Sequence, residues 1–119
     1  MLIPLPFPSY SDNFKVIDEQ IRDEVKRTLA LLLKRAPGKG IEVRIPPYAA
    51  IQCGDGPRHS RGTPPNIIEM PANIWLSLAY GAQSWEEAMG AGSILASGIR
   101  ADLSQYLPLS ADPDCKKLG

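Results

Sequence analysis

The residues of this chain whose types suit chemistry are gathered in one stretch, residues 53–76, CGDGPRHSRGTPPNIIEMPANIWL. It holds the only histidine, His59, beside Cys53, Asp55, Ser60 and the cations Arg58 and Arg61. Nucleophilic catalysis needs a thiol or hydroxyl within reach of a base that a third group orients. Neighbours along one loop seldom meet that geometry, and nothing here matches a nucleophile motif. His59 with Cys53 and Asp55 is not a spaced three-ligand zinc set. The glycines fall at 54, 56 and 62 with no Gly-Lys-Ser/Thr behind them, so neither a dinucleotide fingerprint nor a P-loop is present. One reading of the stretch is anion recognition: Arg58, His59 and Arg61 among glycines could offer guanidinium forks and backbone N–H groups to a carboxylate or phosphate head. The simpler alternative is a solvated loop whose arginines pair with Asp55, Glu69 or Asp102. Glu86 and Glu87 read as capping and solvation, and Asp102 as a helix cap. No catalytic residue, metal or cofactor is therefore expected, and the chain reads as non-enzymatic.

The elements that must position this stretch fit one domain, since 119 residues can bury roughly 65% of their unfolded surface. Thirteen basic residues balance thirteen acidic ones, which leaves no field to attract nucleic acid or an anionic membrane. Cys53 and Cys115 lack disulfide-framework spacing and fit a reducing, cytoplasmic setting. The opening MLIPLPFP has no basic start and is broken by Pro4, Pro6 and Pro8, short of a signal peptide or the ~20 residues of a membrane span. No integral membrane association is expected. Prolines, at about twice the usual ~5% share, cluster between elements and punctuate them.

Residues 1–17 read as a proline-rich leader, 18–109 as the domain and 110–119 as a polar tail. From Asp18 to about Arg35, Ile21, Val25, Leu29, Leu32 and Leu33 recur at spacings of three and four, predicting a helix with Asp18 as N-cap and Pro37-Gly38 as its stop. Ile41, Val43 and Ile45 then alternate with Glu42 and Arg44 as a strand. Residues 48–53 form its antiparallel neighbour, and residues 66–70 a third strand. Pro71 suits the first position of a helix burying Ile74, Trp75 and Leu78. SWEE at 84–87 is a capping box for another helix carrying Trp85, Ala88 and Met89. Residues 93–97 are a short fourth strand, and 101–107 a last helix before Pro108. The first two strands lack room for a crossover helix, so a doubly wound parallel sheet is excluded. The fold class is α+β, with a small antiparallel-rich sheet and helices packed on one face.

The run NIIEMPANIWLSLAYGAQSWEEAMGAGSILASGIRADLSQYLPL resembles the sterol carrier protein family, the non-specific lipid-transfer proteins. RGTPPNIIE, followed by W-x-x-L-A-x-G and A-S-G-x-R-A-D-L-S-x-x-L-P-L, is similar to a bacterial subgroup of that family over about residues 18–109. It is similar also to the C-terminal domain of some mycothiol-dependent, maleylpyruvate-isomerase-like enzymes. One departure is Met70, where a short polar cap is expected before Pro71. The resemblance implies a sterol-carrier-protein-like domain with an apolar cavity between sheet and helices for a fatty-acyl or sterol-like molecule. Ile51, Ile68, Trp75, Leu78, Trp85, Met89 and Leu103 are its candidate walls, and Arg58, His59 and Arg61 its candidate head-group contacts. Each apolar candidate is equally an ordinary core residue at such spacings.

Two functions of different class follow. One is carriage of an apolar small molecule. The other is a non-catalytic accessory or dimerisation module, working as a homodimer or beside a separate enzyme, and its mark is an exposed apolar patch.

Overall fold

The computed structural model of the chain describes residues 18–56, 62 and 64–111. The leader, most of the tail, and Arg58, His59 and Arg61 lie outside the described residues. Asp18 stands in extended geometry, and its Oδ1 accepts the N–H groups of Gln20 at 3.0 Å and Ile21 at 3.1 Å, so the first helix starts where two orphan donors are satisfied. Helix α1 spans Glu19–Arg35 and ends with Lys34 and Arg35 in its last turn, which suits the negative end of its dipole. Val25, Leu29 and Leu32 are fully buried along it, each contributing about 1.5–3 kcal/mol by leaving water. Leu33, expected in this stripe, stands 39% exposed, while Glu24 and Thr28 lie within it.

Strands β1 (Ile41–Ile45) and β2 (Ala49–Cys53) form the expected antiparallel hairpin, with Ile41 opposite Cys53 and Val43 opposite Ile51. Tyr48 belongs to the turn, where its N–H reaches the Ile45 carbonyl at 2.8 Å. Strand β3 (Ile67–Glu69) lies on the other side of β1 and parallel to it, with Val43 opposite Ile68. Strand β2 returns the chain to the end of β1 at which Ile41 lies, so β3 starts beside Glu42 and needs no crossover helix to run parallel to β1. Strand β4 (Leu95–Ser97) pairs antiparallel to β3 and completes a mixed sheet of order β2-β1-β3-β4. Two of its three pairings are antiparallel. Period two then sorts the residues: Ile41, Val43, Ile45 and Ile68 are buried on one face, whereas Glu42, Arg44 and Glu69 occupy the other. Glu42 and Arg44 form an ion pair there.

Helices α2 (Ala72–Ala79) and α3 (Trp85–Gly90) follow β3. Pro71, expected as the first helical residue, is instead the extended N-cap of α2, and no side chain caps that end. Met70, buried in the core, extends the ladder by donating its N–H to the Arg44 carbonyl at 3.2 Å. The C-terminus of α2 is closed by a Schellman motif: Ala82 N–H bonds the Ser77 carbonyl at 2.8 Å and Gly81 N–H that of Leu78 at 3.3 Å. Gly81 holds φ at +82°, the left-handed conformation this motif needs. The capping box of α3 is complete, with Glu87 N–H on Ser84 Oγ at 3.0 Å and Ser84 N–H on Glu87 Oε1 at 2.9 Å.

The helix expected over 101–107 is not formed. Two 3-10 turns, Ser104–Tyr106 and Leu109–Ala111, stand in its place; of the residues expected to face inward, Leu103 is fully buried and Tyr106 and Leu107 are half-buried. Leu107 is extended because it precedes Pro108, and Arg35 Nη1 donates to the carbonyls of Tyr106 at 2.8 Å and Pro108 at 2.9 Å, so those groups are committed to α1. Asp102 does cap the first turn, its Oδ1 accepting Ser104 N–H at 2.7 Å.

Candidate functional site

The polar residues inside the apolar stripe of α1 organise the site. Thr28 is fully buried; its hydroxyl donates to the Glu24 carbonyl at 2.7 Å and accepts the indole N–H of Trp75 at 2.8 Å. One turn earlier on α1, Glu24 is only 8% exposed, and its carboxylate accepts the Tyr80 hydroxyl on one oxygen and Arg27 Nε, at 3.2 Å, on the other. Arg27 Nη2 also donates to Tyr80 Oη at 2.9 Å. Moving backward along α1 thus means moving forward along α2, so the two helices run antiparallel and are joined at two levels.

The consequence for Tyr80 is chemical. Burial first, and then the hydrogen bond to the Glu24 carboxylate and its negative charge, push the phenol up to about 12. Burial alone pushes the Cys53 thiol up to about 11. Both groups are held in their protonated forms, so each contributes stability that is fully present below its unfolded-state value, near ~8.5 for Cys and ~10 for Tyr, and is lost as pH rises through the folded value. The urea midpoint of the protein is expected to fall between about pH 8 and about pH 12. Tyr80→Phe should start from lower stability but decline less steeply over that window; an unchanged slope would remove Tyr80 from the account.

Beside the Glu24–Tyr80 junction α1 and α2 part, leaving a half-open groove of about 420 Å³. Ile21, Leu76 and Ala82 supply its apolar surface, and Gln20, Glu24, Asn73, Ser77 and Tyr80 its polar positions. The spacing of 20, 21 and 24, and of 73, 76, 77 and 80, places each set on one helix face. Its volume falls within the ~300–1,000 Å³ of small-molecule sites, and an apolar floor with a few polar groups is their usual composition. A second, more polar depression of about 490 Å³ lies among Asp55, Arg100, Asp102, Ser104 and Gln105, with Ile41, Ile99 and Tyr106. It lies toward the C-terminal end of α1, because Gly54, next to the lining residue Asp55, donates its N–H to the Ala36 carbonyl at 2.8 Å. The groove sits at the N-terminal end of the same helix, where Glu24 precedes Ala36 by 12 residues, or about 18 Å along the axis at 1.5 Å each.

A family model described as bacterial SCP ortholog matches residues 18–109, well over half of the chain. The protein belongs to the bacterial sterol carrier protein family. No curated protein matches it. In this sterol carrier protein domain the apolar candidates lie as follows. Ile68, Trp75, Leu78 and Leu103 are fully buried, and Trp85 nearly so. Ile51 is half-buried on β2, opposite Val43, and Met89 stands 41% exposed on α3. Trp75 and Leu78 share the inward face of α2, whose other side, through Leu76 and Tyr80, borders the groove. Leu78 and Trp85 also line a smaller pocket of about 90 Å³ with Leu107 and Pro108. Sequence reasoning missed Ile21, Glu24, Thr28, Leu76 and Tyr80. The available signal was that Glu24 and Thr28 fall at helical spacing within the apolar stripe, where a polar residue needs a partner. Among the described residues no cluster of His, Cys, Asp and Glu has metal-binding geometry, and no helix is long and apolar enough to cross a membrane.

Proposed function

We propose that this domain binds and carries an apolar small molecule of fatty-acyl or sterol-like character. The observation that carries the reading is the groove between α1 and α2, with its apolar surface of Ile21, Leu76 and Ala82, in a member of a lipid-carrier family. The groove is the mouth. Behind it, Trp75 and Leu78 belong to the buried layer between α2 and the sheet, with Ile68 and Leu103. A ligand longer than the groove displaces these side chains and takes their place against the sheet. Trp85 belongs to the same core and Ile51 packs against it, Met89 stands exposed on α3, and Arg58, His59 and Arg61 are the proposed contacts for an anionic part of a ligand. Carriage requires no bond to be made or broken, which agrees with a family of typically non-catalytic carriers.

The test is organic-solvent extraction of the freshly purified protein, with mass spectrometry under native and denaturing conditions. A stoichiometric lipid is the expected result and names the ligand class. A bare protein whose Trp75 and Trp85 fluorescence is also unmoved by fatty-acyl probes would end the carrier reading.

A second reading, an accessory or dimerisation module, is favoured by one feature. Strand β4 is a sheet edge with all three residues exposed, Leu95 at 69%, and Ile99 just beyond it is fully exposed. An apolar edge without charge is a template for pairing with another chain. Light scattering separates the two readings, since a monomer at all concentrations tells against the second.

A further inference from the structure

The groove between α1 and α2 presents a single formal charge among its described lining residues, the Glu24 carboxylate. Arg27 pairs with that carboxylate at 3.2 Å from the next turn but does not line the groove. A carboxylate has about four lone-pair positions, and Arg27 and Tyr80 occupy one oxygen each, so Glu24 keeps capacity to accept a further hydrogen bond. Asn73 and Gln20 on the rim carry amides that donate as well as accept. Gly54, just past the end of β2, is tied to Ala36, 12 residues or about 18 Å along α1 from Glu24.

From this arrangement we infer that the groove selects amphiphiles with a neutral, hydrogen-bond-donating head, such as long-chain or polycyclic alcohols, and rejects carboxylates with the same tail. A hydroxyl donates to Glu24 and accepts from a rim amide while its tail lies along Ile21, Leu76 and Ala82. A carboxylate in the same place has no donor of its own and meets the Glu24 carboxylate as the groove-facing member of its ion pair, with Arg27 offsetting that charge only from outside the lining. Selectivity thus comes from a repulsive element as much as from an attractive one. The inference rests on the carrier reading and narrows its ligand.

The test uses the full chain freed of lipid, with Nile red as a neutral probe displaced by 1-decanol or by decanoate at about pH 8. Decanol is expected to displace the probe at lower concentration. Because a neutral tail partitions better into any apolar site, the deciding quantity is the effect of Glu24→Gln, which keeps the acceptor for Tyr80 and removes the charge. Decanoate should bind about tenfold or more tightly to that variant, while decanol changes by less than about threefold. Ala82→Trp, at an exposed rim position, should weaken both ligands by filling the groove. Decanoate that equals decanol in the unmodified protein, or that gains nothing from Glu24→Gln, overturns the inference but leaves the carrier reading intact, as does indifference of both ligands to Ala82→Trp. Failure of Nile red and both amphiphiles to bind at all overturns the carrier reading with it.

Discussion

Trp75→Ala is expected to lower the stability of this domain by about 3–5 kcal/mol, the usual cost of emptying a fully buried indole site. Domains of this size have about 5–15 kcal/mol in total, so the variant sits close to the unfolding threshold. Two contributions add. The indole fills the space between α2 and α1, and its N–H is one of the points at which the two helices are tied, at Thr28. Thr28→Val separates them: it keeps the volume but leaves the indole N–H buried without an acceptor, at about 1–3 kcal/mol. Urea denaturation followed by circular dichroism measures both. The same series bears on function, because a loss below about 1 kcal/mol for Trp75→Ala would mean that the indole borders open space and not a packed layer.

Gly98→Ala carries the second large effect, expected to exceed about 3 kcal/mol. Gly98 holds φ at +111°, a conformation L side chains rarely adopt, and a Cβ there would stand 2.3 Å from the Pro65 carbonyl oxygen and 2.4 Å from Asn66 Oδ1. Neither neighbour has room to yield. Asn66 is buried and spans a junction: its Nδ2 donates to the Gly40 carbonyl at 2.9 Å, its Oδ1 accepts Arg100 N–H at 2.9 Å, and its own carbonyl accepts Glu42 N–H at 2.9 Å. Displacing it loosens the approach to β1, β3 and β4 together. Calorimetry should find the melting temperature lower by on the order of 10 °C or more. Gly92→Ala is the control. Gly92 also has positive φ, at +72°, but nothing lies within 4 Å of the added carbon, so only the backbone cost of about 1–2 kcal/mol remains. Equal losses in the two variants would refute the steric account.

Local patterns made much of the fold legible before any contact was known. Helix α1 follows from Asp18 and the three-and-four spacing of Val25, Leu29 and Leu32. The start of α3 follows from Ser84 and Glu87, and the first hairpin from alternation around Pro46-Pro47. The resemblance carried by RGTPPNIIE and ASGIRADLSQYLPL covers the same residues, 18–109, as the family match. Where local reasoning failed, a distant group had intervened. Residues 101–107 carry a helical apolar pattern, but Pro108 makes Leu107 extended, and Arg35, 71 residues from Tyr106, claims the carbonyl there.

The site divides along the same line. The burial of Ile68, Trp75, Leu78, Trp85 and Leu103 was legible from spacing because an apolar face has a local period, whereas Ile51 is half-buried and Met89 stands exposed. The groove could not, because it exists only where Glu24 meets Tyr80, 56 residues on, and Thr28 meets Trp75, 47 residues on. By itself, then, the sequence determined the fold class, the boundaries of the best-capped helix, the family and most of the side chains that leave water, Leu33 and Met89 excepted. The tertiary structure alone decided that β3 lies parallel to β1, that two polar residues in an apolar stripe clasp a second helix, and that a charged, half-open groove remains beside them. The physical reason is that periodicity and capping act within a few residues, whereas a groove is a property of two surfaces that the chain brings together only on folding.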